Sequence, residues 1–100
     1  MKTIKVNDWD EIPRNYTGIA EHANGDKVWH LNGKLHREDG PAVEFINCGK
    51  SWWLNGKRHR IDGPAMEWNN GDKAYYINGE KVTKEAQEVL YGLYKLKGIK

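Results

Sequence analysis

A unit of 23 residues recurs along this chain, and that periodicity constrains the fold more than any single residue does. Asn32-Gly33-Lys34, Asn55-Gly56-Lys57 and Asn78-Gly79-Glu80 stand in one register. Trp29, Trp52 and Tyr75 align with them, as do His30, Trp53 and Tyr76, then Leu31, Leu54 and Ile77. Residues 36–45 return as 59–68, and a worn copy at 17–22 precedes both. A unit this short cannot bury an apolar face alone, so the copies must stack on one another.

Within a unit, Lys50-Ser51-Trp52-Trp53-Leu54 reads as a strand, and Asn55-Gly56 signals a type I′ hairpin turn whose two central residues need positive φ. Gly63-Pro64 then forces a bend, because proline in a central ladder forfeits a donor, and Ala65-Met66-Glu67-Trp68 resumes the strand. Asn69-Asn70-Gly71-Asp72 turns again into the next copy. The expected fold is mainly β: an antiparallel single-layer meander of repeated β-hairpins. Period-two alternation predicts a buried layer of Trp29, Leu31, Val43, Phe45, Trp52, Leu54, Met66, Trp68, Tyr75 and Ile77. The opposite face then carries His30, Trp53 and Tyr76 as one exposed column, and Glu21, Glu44 and Glu67 as another with cross-strand lysine partners.

Both ends of such a stack need a cap. Thr83 is the expected N-cap of a C-terminal capping α-helix, with Glu85 and Glu88 early and Lys95 and Lys97 late, as the helix dipole prefers. Its apolar stripe of Ala86, Val89, Leu90, Leu93, Tyr94 and Leu96 is expected to cover the last hairpin. The 100 residues then form a single domain: 1–16 an N-terminal cap with a short strand near Ile4 and Val6, 17–82 the repeats, 83–97 the helix.

Sixteen basic against fourteen acidic side chains carry no strong electrostatic instruction, and interleaved acidic columns argue against nucleic acid as the main ligand. Trp and Tyr supply ten of the eleven aromatics, so burial rests on large amphipathic rings. The lone Cys48 has no partner for a disulfide or a zinc site. It fills the slot held by Gly25 and Gly71 and reads as a tolerated thiol in a turn. With no transmembrane segment and no signal peptide visible, the expected location is the cytoplasm.

The unit Asn-Gly-Lys-x-His-x-x-x-Gly, with its preceding aromatic strand, resembles the MORN repeat over about residues 17–82. Asn55-Gly56-Lys57-Arg58-His59-Arg60-Ile61-Asp62-Gly63-Pro64-Ala65 is similar to the small phage and bacterial variant, in which Asp-Gly-Pro-Ala replaces the ordinary Gly-x-Gly. The resemblance implies successive antiparallel hairpins and a scaffolding or binding role. For a phage protein it implies an encounter with host partners in the host cytoplasm.

His36 and His59 each lie beside an arginine and three residues before an aspartate, a pattern that could bind metal or move protons. A residue repeated in every unit usually serves the unit, so both are read as architectural. Asp39 and Asp62 are expected to accept bonds from turn amides and from the nearby His or Arg, holding the bend open for Gly-Pro. No nucleophile with a base, no phosphate loop and no paired-carboxylate site is visible, so no catalytic residue and no cofactor is assigned. The surface expected to bind is His30, Trp53 and Tyr76 with Lys34, Arg37, Lys57, Arg58 and Arg60. It would take another protein or, alternatively, an anionic nucleotide or lipid headgroup. Homo-oligomerisation through uncovered sheet ends is compatible with either.

Overall fold

In the computed structural model, which describes residues 1–97, each Asn-Gly pair reverses the chain as its chemistry requires. Asn32, Asn55 and Asn78 adopt φ of 50°, 50° and 51°, and Gly33, Gly56 and Gly79 follow at 80°, 81° and 87°. The strands are β1 (Thr3–Val6), β2 (Gly18–His22), β3 (Lys27–Leu31), β4 (Lys34–Leu35), β5 (Val43–Phe45) and β6 (Gly49–Ser51). After these come β7 (Trp53–Leu54), β8 (Lys57–Arg58), β9 (Met66–Trp68), β10 (Lys73–Ile77) and β11 (Glu80–Val82), and α1 (Lys84–Lys97) ends the series.

The Gly-Pro bend splits the return arm of the hairpin. β4 pairs with the far half of β3, through His30 and Leu31, and β5 resumes beside its near half, through Lys27 and Val28. One sheet therefore runs β1-β2-β3-β5-β6-β9-β10-β11, and β7 and β8 form a short ribbon of their own. All pairs are antiparallel except β1 with β2, where the N-terminal strand joins in parallel and covers the first edge.

Two adjacent rows of side chains cross this sheet on opposite faces. Ile4, Ala20, Val28, Val43, Ser51, Met66 and Ala74 stand opposite one another from β1 to β10. Ala20 and Val28 are fully buried, and Val43, Ser51 and Ala74 nearly so. One residue along, Lys5, Glu21, Lys27, Glu44, Lys50, Glu67 and Lys73 alternate in sign at every step. Opposite charges on neighbouring strands stabilise a register and like charges oppose a slipped one, so the acidic columns do have lysine partners.

This register corrects the expected faces. The two-residue turn pairs Leu54 with Lys57, and the excursion through residues 60–65 leaves that parity intact, so Met66 faces Ser51 rather than Trp52. Met66 and Trp68 accordingly share a face with Ser51 and Trp53. The glutamate row lies on the other face, with Trp29 and Tyr75. Of the expected buried layer only Trp29 and Val43 are buried. Phe45 is exposed, and Leu31, Trp52, Leu54, Met66, Trp68, Tyr75 and Ile77 are half-buried.

Thr83 caps α1 as expected, its hydroxyl accepting the Ala86 amide at 3.1 Å. The helix packs on β10, and the Gln87 side-chain amide donates to the Ile61 carbonyl. Its sheet-facing side is Gln87, Leu90 and Tyr94, whereas Ala86, Val89, Leu93 and Leu96 are exposed. The expected stripe is thus covered only in part, because buried Gln87 rather than Ala86 anchors the first turn.

Candidate binding surface

The repeated Arg-x-Asp-Gly-Pro segment builds the same staple twice. Arg37 Nε donates to Asp39 at 2.8 Å, and its Nη1 reaches the Pro41 carbonyl at 3.1 Å and Glu44 at 3.4 Å. Arg60 repeats this with Asp62 at 2.9 Å, Pro64 at 3.1 Å and Glu67 at 3.1 Å. Each guanidinium also lies 4.0 Å from a ring centroid, Arg37 over Trp29 and Arg60 over Trp52. A guanidinium between two carboxylates, a carbonyl and an indole has little charge left to offer a ligand. The Arg37 bond holds the Asp39 carboxyl below the usual carboxylate range.

The histidines link one copy to the next. His36 Nδ1 accepts the Asn55 amide and His59 Nδ1 accepts the Asn78 amide, both at 2.9 Å, so each ring holds the following Asn-Gly turn. In the first copy the Thr17 hydroxyl performs this task for Asn32 at 2.8 Å.

Arg58 is different. Its guanidinium lies 4.9 Å from the Trp53 ring and 5.4 Å from the Tyr76 ring, held there because Trp53 faces Arg58 across β7 and β8 while β10 carries Tyr76 alongside. The Trp53 indole is itself fixed by donating to the Ser51 hydroxyl at 2.8 Å. Among the described residues Arg58 has no carboxylate partner, and its Nε is buried without an acceptor. Lys34 and Lys57 extend along the next copy's turn, over Gly56 and Gly79.

The residues expected to form one surface are therefore divided. Trp53, Arg58 and Tyr76 come together. Arg37 and Arg60 belong to the staples, whose rings occupy the other face. His30 is not exposed: it is 8% accessible, set edge-on to Tyr16 with neither ring nitrogen partnered. Tyr16 covers the ring in the first copy, beside the N-terminal strand that joins β2 in parallel, and among the described residues no such segment stands over Trp53.

Burial, aided by the neighbouring His22, holds the His30 imidazole below its usual pKa, and burial does the same for His59. At neutral pH both folded and unfolded chains carry these rings uncharged. As pH falls through about 6.5 the unfolded chain takes up protons that the folded chain resists, so stability is lost toward acid. The melting temperature is expected to drop by several degrees between neutral pH and pH about 5, and His30→Leu should flatten part of that slope. An unchanged slope in the variant would show that His30 is not a source of it.

Sequence reasoning missed a cleft of about 690 Å³ between the two staples and α1, floored by Trp52 and Leu54 and walled by Tyr91 and Tyr94. The helical tyrosines could have been assigned to it only by knowing which side of α1 meets the sheet. Among the described residues no three His, Cys, Asp or Glu side chains converge on a common metal position, and no helix is long and apolar enough to cross a membrane. Compared with known protein families, curated proteins and solved structures, the chain matches none.

Proposed function

We propose that this chain is a non-enzymatic repeat module, of the MORN-like kind its motifs resemble, that binds another protein by seating an acidic side chain on Arg58. The observation that carries the reading is the contrast between Arg58 and the repeated pair Arg37 and Arg60. Arg37 and Arg60 are each neutralised by two carboxylates, whereas Arg58 lies against Trp53 and Tyr76 and among the described residues has none. Clamping a guanidinium between rings removes the entropy cost of positioning it, and desolvation by the rings strengthens its attraction for a carboxylate. Arginine anchors flanked by aromatic side chains are typical of protein interfaces. A nucleotide is the weaker fit, because the ring faces that would stack a base already stack on Arg58. The phage-type form of the repeat points to a host protein as the partner.

Hexaglutamate and ATP serve as probes, followed through the Arg58 Nε–H and Trp53 indole resonances. Hexaglutamate is expected to shift both saturably, and Arg58→Ala to weaken that binding by about tenfold or more while the fold persists. ATP is expected to leave them in place. Shifts with ATP alone would replace this reading by the small-anion one, and no shift with either probe would remove Arg58 from any binding role.

A further inference from the structure

The outward side of α1 carries apolar residues that the fold leaves uncovered. Val89 is 64% accessible, Leu93 49% and Leu96 85%, and Ala86 is exposed with them. Their spacing of three, four and three residues places them along one line, the pattern of a short coiled-coil seam rather than of scattered surface hydrophobes. Gln87, Leu90 and Tyr94 form the more buried side of the helix, so the seam is a second, separate side.

We infer that this seam pairs with the same helix of a second copy, in antiparallel orientation. The direction follows from charge. Glu85 lies in the first turn and Lys95 and Lys97 in the last. An antiparallel pair sets the start of each helix, where Glu85 and Glu88 outweigh Lys84, beside the basic end of the other, Lys95 and Lys97. A parallel pair sets like against like. The opposed helix dipoles add to the preference. Such a pair is self-complementary and closes as a two-fold dimer, which a helix of unrelated charge would not match.

Gly92 supplies a second, independent indication. A glycine inside a helix costs about 1 kcal/mol relative to alanine, and beyond its own helix a Cβ built at Gly92 meets nothing within 4 Å among the described residues. Among the described residues no internal contact requires it. It sits beside Leu93, close to the midpoint of the seam, where the two axes would approach most closely. One helix of 14 residues offers less area than the roughly 1,200 Å² of a stable interface. The dimer is accordingly weak and concentration-dependent.

Sedimentation equilibrium from about 10 µM to about 1 mM should show the mass rising from monomer toward dimer. Leu93→Glu should hold it at monomer without lowering the melting temperature, since the residue is exposed. The orientation is tested by charge reversal. Glu85→Lys with Glu88→Lys, and separately Lys95→Glu with Lys97→Glu, should each be monomeric alone and dimerise when mixed. A wild-type chain that stays monomeric at the highest concentration would overturn the inference. So would a dimer indifferent to Leu93→Glu, which would place self-association at the sheet edges, or one indifferent to both charge reversals.

Discussion

Arg60→Ala is expected to destabilise the fold by about 3 kcal/mol, whereas Arg58→Ala, two positions away, should cost no more than about 1 kcal/mol. The difference comes from what each guanidinium leaves behind. Without Arg60 the Pro64 carbonyl loses a donor, Asp62 and Glu67 lose their common counter-charge, and the Trp52 ring loses the cation that covers it. Asp62 and Glu67 are partly hydrated, so each ion pair alone is worth little. The carbonyl and the indole carry more of the cost because they are left uncovered at the bend. For a chain of this length the loss corresponds to a fall in melting temperature of roughly 10–20 °C. Arg60→Lys should recover less than half, since a lysine cannot make the forked contacts or stack on the ring. A thermal midpoint within a few degrees of wild type for Arg60→Ala would show that the staple is not structural, and would reopen Arg60 as a binding residue.

The second large effect is expected at a position with no side chain. Gly49 adopts φ of 149° where β6 passes β9, and a Cβ there would overlap the Glu67 carbonyl oxygen and stand 2.8 Å from the Trp68 Cα. Both neighbours are backbone in a paired strand, so neither can turn aside. Gly49→Ala should therefore cost about 3 kcal/mol or more, combining the disfavoured dihedral with forced separation of the strands. Gly71→Ala is the control. Gly71 also has positive φ, 96°, but open space where its Cβ would go, so it should lose only about 1–2 kcal/mol. Equal losses in urea denaturation would assign the whole effect to the dihedral and none to the contact.

Much of this was legible from local chemistry. Asn-Gly pairs admit few conformations, a Gly-Pro pair cannot continue a ladder, and Thr83 ahead of a charged amphipathic run is a helix start, so turns, bend and cap followed from the residues themselves. The pairing of Glu44 and Glu67 with lysines was readable too, because it needs only neighbouring strands. What escaped was relative phase. Whether Met66 joins Trp52 or Ser51 depends on how many residues the bend removes from the ladder, and composition carries no count of those. The covered state of His30 depends on the N-terminal strand arriving in parallel, a long-range pairing with no local signature. The side of α1 that meets the sheet was misjudged for a related reason. Its apolar residues occupy more than one stripe, and a buried glutamine, Gln87, decides which stripe docks. The site changed accordingly: Trp53, Arg58 and Tyr76 remain together, while Arg37 and Arg60 anchor bends.

The alternating row of lysines and glutamates has one further consequence, set by its ends. It begins with Lys5 on β1 and finishes with Lys73 on β10, whose pairing with β11 starts only at Tyr75, so the row carries the same sign at both of its open ends. Molecules that tried to extend one another head to tail would bring ammonium against ammonium at the junction, where each internal step has opposite signs. A stacking architecture that could in principle add copies without limit thus opposes filament growth at its own borders.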